Sequence, residues 1–113
     1  MVSPAPYRRP RRLRSNPAMR SLVAETHLHP SDFIYPLFIA EALSAPREIP
    51  SMPGQYQHTM ASLLQLVENS LEAGIRCVDL FGVPLVENKD ATGSLAWRSD
   101  GILNQAIATL KAE

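Results

Sequence analysis

The sequence predicts an α/β fold, with two strands of a parallel sheet, each followed by a helix, behind an extended N-terminal arm. Three features predict it. Phe33–Ile39 and Ile75–Phe81 are short, mostly apolar runs rich in β-formers, the composition of strands buried on both faces. After each run comes a stretch with apolar residues at helical spacing. Alternation of such strands and helices is the pattern of βαβ units and a parallel sheet.

Each element follows from local chemistry. Residues 1–15 read as extended chain, because Pro4, Pro6 and Pro10 fix φ and remove backbone donors. Asn16-Pro17 is a helix start, asparagine as N-cap and proline at the first helical position, and the helix runs to about Thr26 with Met19, Leu22 and Val23 on one stripe. Pro30 with Ser31-Asp32 makes a turn into the first strand, where Pro36 disturbs the ladder. Residues 42–58, with Pro46, Pro50, Pro53 and Gly54, read as a long loop of the kind that is often functional. Thr59 caps the next helix, whose Met60, Leu63, Leu64, Val67 and Leu71 form the strongest apolar stripe in the chain. Gly74 ends it as a C′ glycine. Gly82 and Pro84 close the second strand, and residues 83–98 form a second loop. Ser99 or Asp100 caps a last helix carrying Ile102, Leu103, Ala106, Ile107 and Leu110, with Lys111 favourably placed in its final turn.

The composition, 45% hydrophobic and 19% charged, is that of a globular protein rather than a disordered one. No apolar run approaches the roughly 18 residues that span a bilayer. No secretory signal opens the chain. A single cysteine, Cys77, excludes an internal disulfide and falls short of a zinc site; it fits a reducing, cytoplasmic setting. Formal charge is zero, yet six arginines precede any acid: Arg8, Arg9, Arg11, Arg12, Arg14 and Arg20. The remaining residues carry five cations and eleven acids, a net of minus six (5 − 11). A basic arm on an acidic body fits nucleic-acid binding, a targeting segment, an arm docked on a neighbouring subunit, or a solvated tail. The prolines count against an amphipathic targeting helix, and no recognition helix or aromatic platform accompanies the arginines.

Few residues invite chemistry. His27 and His29 lack further ligands and read as a solvated turn. The only lysines, Lys89 and Lys111, lack the apolar pocket or cationic neighbour that a Schiff-base lysine needs. Gly93-Ser94 lacks a phosphate-loop spacing. Asp79 interrupts an apolar strand, where a buried charge must be paired or neutralised. Phe81 and Gly82 end the second strand at the carboxyl edge of the sheet, where α/β proteins bind ligands. Phe81 is therefore either a pocket wall or a core aromatic.

Taken in order, the motifs resemble the porphobilinogen synthase family. They are Arg9-Pro10-Arg11-Arg12-Leu13-Arg14 with Asn16-Pro17-Ala18-Met19-Arg20, then Ile34-Tyr35-Pro36-Leu37-Phe38-Ile39 and Ile49-Pro50-Ser51-Met52-Pro53-Gly54. Ala73-Gly74-Ile75-Arg76-Cys77-Val78, Leu80-Phe81-Gly82-Val83-Pro84, Lys89-Asp90-Ala91-Thr92-Gly93-Ser94 and Ala96-Trp97-Arg98-Ser99-Asp100-Gly101 follow. Each is ordinary alone; the series is specific.

The resemblance implies a TIM barrel with an N-terminal arm that wraps a neighbouring subunit of a homo-octamer. It implies condensation of two 5-aminolevulinate molecules to porphobilinogen, in tetrapyrrole and heme synthesis, through two Schiff-base lysines, with zinc or magnesium in many members. On this reading residues 1–30 are the oligomerisation arm, carried by Arg8, Arg9, Arg11, Arg12 and Arg14. Residues 31–113 are the first two βα units of an incomplete barrel. Phe81 resembles an aromatic that lines the family's substrate site, whereas Asp79 stands where an apolar residue is expected. The lysines and the metal-binding segment belong to family segments without counterpart here, so the chain alone is expected to be inactive, to bind no metal, and to have neither nucleic acid nor membrane as a partner. Two unpaired parallel strands also favour a piece of a larger sheet. The alternative is a small α/β binding or self-association module with a basic nucleic-acid arm.

Overall fold

The computed structural model describes residues 11–112. Three helices and four strands follow in the order α1 (Pro17–Leu22), β1 (Ile34–Ala40), β2 (Arg47–Glu48), β3 (Tyr56–His58), α2 (Met60–Glu72), β4 (Cys77–Val83) and α3 (Ile102–Ala112). The sheet order is β2-β3-β1-β4. β1 and β4 run parallel through seven register pairs, from Ile34↔Cys77 to Ala40↔Val83. This is the strand–helix–parallel strand unit that the sequence pattern requires.

Helix ends follow the expected chemistry in two of three cases. Asn16 Oδ1 accepts from the Met19 N–H at 2.8 Å, with Pro17 in the first turn. α1 nevertheless stops at Leu22 rather than Thr26, because no strand or long helix among the described residues packs against it; of residues 11–34 all but Met19 are exposed. Thr59 and Ser62 close a reciprocal capping box on α2. Gly74, at φ +88, ends α2: its N–H bonds to the Leu71 carbonyl and the Ile75 N–H to the Ser70 carbonyl, both 2.9 Å. Those two bonds are the 5→2 and 6→1 closures that a left-handed residue at C′ permits.

The third helix departs from expectation. α3 begins at Ile102, so Gly101 precedes it and neither Ser99 nor Asp100 caps it; Asp100 instead pairs with Arg98. A β-carbon at Gly101 would stand 2.1 Å from the Leu95 carbonyl oxygen, so only glycine fits the crossing of these two backbones.

Two further expectations need correction. Residues 42–58 contain a small hairpin, β2 antiparallel to β3, and β3 adds to β1 through Phe38↔Gln57 and Ile39↔His58. β1 and β4 are buried on one face, not both. Leu37, Ile39, Leu63 and Ala106 form the core, with Tyr35, Val78, Leu80 and Leu66 packed around it. The opposite face of the sheet has no helix on it among the described residues and is open. β4 also begins two residues later than the apolar run, at Cys77. Its outer edge pairs with no strand among the described residues.

Candidate functional site

Alternation along a strand sends every second side chain to the same face. The open face therefore carries Ile34, Pro36 and Phe38 from β1 beside Cys77, Asp79 and Phe81 from β4, three register pairs deep. Ile34 is 64% exposed and Phe81 45%. At the carboxyl end the Phe38 and Phe81 rings stack, with centroids 5.3 Å apart and planes 25° from parallel. Phe81 thus stands at the carboxyl edge as expected, but as half of an aromatic pair. Phe38 was missed by sequence reasoning, although the period of two and a fixed register would have placed it there.

Above this pair the two strand ends are tied together. The Glu41 N–H donates to the Val83 carbonyl at 3.0 Å, one step past the last ladder pair. The Glu41 carboxylate accepts from the Leu85 N–H at 2.8 Å and from the Asn88 amide at 3.2 Å. Ala42 follows at φ +55, a left-handed conformation that costs a residue with a β-carbon about 1 kcal/mol. Sequence reasoning gave Glu41 no role, because an acid just past a strand looks like solvated loop.

The loop after β4 folds on itself and lines a pocket of about 320 Å³ with Pro84, Asn88, Lys89, Asp90 and Ser94, floored by Gly82 and Leu103. Asp90 Oδ1 accepts from the Ser94 N–H at 2.9 Å and from the Thr92 N–H and hydroxyl at 3.1 Å. Hydrogen bonding from Ser94, then from Thr92, pulls the Asp90 carboxyl from 3.8 to about 2. Lys89 is exposed on this loop and Lys111 in the last turn of α3, so neither stands in the desolvated setting a Schiff-base amine requires.

The remaining candidates are placed simply. His29 caps a short turn with Asp32, and His27 is exposed. Asp79 is solvent-facing on the open face, which is how its charge is accommodated in this chain; the ion pair found among the described residues, Arg98–Asp100, does not involve it. Arg11, Arg12 and Arg14 are exposed, and Arg8 and Arg9 lie outside the described residues. Among the described residues no three His, Cys, Asp or Glu side chains gather where they could hold a metal ion. No described helix is long and apolar enough to cross a membrane.

The sequence profile of the family described as Delta-aminolevulinic acid dehydratase matches residues 7–113. The chain belongs to the delta-aminolevulinic acid dehydratase family. Similar relatives include the delta-aminolevulinic acid dehydratases of Mycobacterium leprae, 50% identical over 96% of this chain, and of Streptomyces coelicolor, 48% identical over 96%. The crystal structure of delta-aminolevulinic acid dehydratase (porphobilinogen synthase) from Toxoplasma gondii, in complex with the reaction product porphobilinogen, superposes with a TM-score of 0.85 at 40% identity over 93% of this chain. The chain spans about a third of the length of these dehydratases: 33%, 33% and 30% respectively. The mixed α/β fold described above is thus the fold of the corresponding part of a porphobilinogen synthase.

Proposed function

We propose that this chain supplies the arm and the first two βα units of a porphobilinogen synthase barrel, an enzyme that joins two 5-aminolevulinate molecules into porphobilinogen with loss of water. The observation that carries this reading is the stacked Phe38–Phe81 pair at the carboxyl end of an otherwise uncovered sheet face. In a closed barrel that face turns inward and the carboxyl edge becomes the ligand-binding end. Phe81 there forms an apolar wall against the substrate carbon chain. The Schiff-base lysines and the metal, zinc or magnesium, come from other segments of the enzyme. A cytoplasmic location accords with the single free thiol, Cys77.

The arm serves assembly. Arg11, Arg12 and Arg14 lie on a stretch that buries no residue of its own chain, and a cationic arm of that kind gains stability only against an acidic partner surface. The partner is a neighbouring subunit of a homo-octamer.

The test is porphobilinogen formation from 5-aminolevulinate by the full-length gene product and its Phe81→Ala variant. Loss of an apolar wall lowers kcat/KM by about 10- to 100-fold. A Phe81→Ala enzyme within twofold of the parent removes Phe81 from the site, and an inactive parent removes the function. For the arm, deletion of residues 1–15 reduces the assembly on light scattering; an unchanged octamer refutes its role.

A further inference from the structure

We propose that Glu41 is a positioning residue for the carboxyl-end site at Phe81, acting as a staple that holds the loop after β4 against the end of β1. This deepens the function proposed above and rests on it. The carboxylate reaches across 44 residues of sequence to the Leu85 N–H at 2.8 Å and across 47 to the Asn88 amide at 3.2 Å. Both acceptor contacts use the same oxygen, Oε2. The backbone of the same residue prolongs the β1–β4 ladder to Val83, two residues past Phe81. One residue therefore fixes both the strand ends that carry the aromatic pair and the first turn of the loop after β4.

The backbone beside it is consistent with that role. Ala42 holds a left-handed conformation that alanine adopts only under constraint, and strain of this kind persists where neighbouring structure over-determines it. Ala42 directly follows Glu41, at the turn where the chain leaves β1. The main-chain donor it satisfies has no strand partner, because β4 ends at Val83. Release of the carboxylate frees Leu85 and Asn88 together, and the loop lining the 320 Å³ pocket loses its attachment to β1. Glu41 makes this difference through Leu85 and Asn88, without touching the substrate.

The experiment compares Glu41→Ala, Glu41→Gln and Asn88→Ala in the full-length gene product, by steady-state kinetics and by amide hydrogen exchange at Leu85. Glu41→Ala raises KM for 5-aminolevulinate about tenfold, the factor that corresponds to one lost hydrogen bond to a charged group, and leaves kcat within about threefold. Leu85 exchange accelerates by at least that factor. Glu41→Gln retains an acceptor oxygen and restores both readouts to within about threefold of the parent. Asn88→Ala gives a smaller rise in KM, and adding it to Glu41→Ala raises KM no further. If Glu41→Ala fails to fold, Asn88→Ala still decides the matter, because an unchanged KM in that variant overturns the proposal. An active parent whose KM ignores Glu41→Ala overturns it alone, while a parent that makes no porphobilinogen removes the function beneath it. Unchanged Leu85 exchange removes the staple itself.

Discussion

Gly101→Ala is the substitution whose cost is most directly set by the backbone geometry. The added carbon would lie 2.1 Å from the Leu95 carbonyl oxygen, 3.2 Å from its carbon and 3.3 Å from the Arg98 carbonyl oxygen. Real contacts of this kind are essentially never under 3.0 Å, so one backbone must retreat by roughly 1 Å. Neither can do so freely. Asn104 Nδ2 donates to the Ala96 and Arg98 carbonyls at 3.1 and 2.7 Å, and the Gln105 N–H donates to the Gly101 carbonyl at 3.0 Å. Displacing a constrained backbone belongs at the upper end of overpacking penalties, about 3 kcal/mol. Gly93→Ala is the control: its φ of +62 makes alanine unfavourable by about 1 kcal/mol, but nothing stands within 4 Å of the new carbon. Thermal unfolding followed by circular dichroism separates the two, since each kcal/mol moves Tm by roughly 4–8 °C in a domain near this size. Gly101→Ala lowers Tm by more than about 10 °C and Gly93→Ala by about half that or less. Equal shifts, or a Gly101→Ala protein that melts like its parent, would refute the steric argument.

Leu63→Ala removes a side chain with 0% exposure between α2 and β1 and costs about 2–5 kcal/mol, read as a lower urea midpoint with unchanged m. Asn16→Ala loses about 1 kcal/mol, confined to α1: the Met19 amide exchanges faster while the melt of the sheet is unmoved. Asp90 titrates below its ordinary value, so the turn it organises is intact above pH 3.8 and dissolves as pH falls through about 2. Amide shifts of Thr92 and Ser94 should report that low midpoint, and a midpoint near 3.8 would mean the carboxylate is not so held. Cys77 reacts freely with a thiol reagent in this chain, because it lies exposed on the open sheet face; in the full-length enzyme the barrel interior protects it, and equal labelling rates would count against closure over that face.

The main elements could be read from sequence because their signals were long and regular. The apolar stripe of α2 and the Thr59 and Gly74 termini specify one helix with little ambiguity. The strands were found for the same reason, but their burial was misjudged. A continuous apolar run says that both faces avoid water in the finished protein, and does not say that both are covered by this chain. The β2–β3 hairpin escaped notice because Arg47-Glu48 and Tyr56-Gln57-His58 are short and polar, and their pairing depends on the neighbouring edge of β1 rather than on local propensity. Gly101 escaped for a related reason: its need for glycine comes from Leu95, a steric contact that no turn pattern encodes. Phe81 was legible as a strand-end aromatic. Phe38 and Glu41 became visible only once the register of β1 against β4 was known.

The two rims of the sheet differ in what they allow next. On one side β2 is two residues long, with Arg47 donating to Gln57 and Glu48 facing solvent, a blunt and charged boundary that discourages further pairing. On the other, the outer edge of the seven-residue β4 has no strand beside it among the described residues. Growth of the sheet is therefore least hindered at β4, although closure of a barrel must also use the Ile34–Leu37 part of β1 that β3 leaves unpaired. The native continuation and any accidental one, such as a second copy meeting β4 edge to edge, compete for the same seam. The order in which strands are added during folding is then a matter of which reaches β4 first, and a single proline or lysine introduced there would halt both routes.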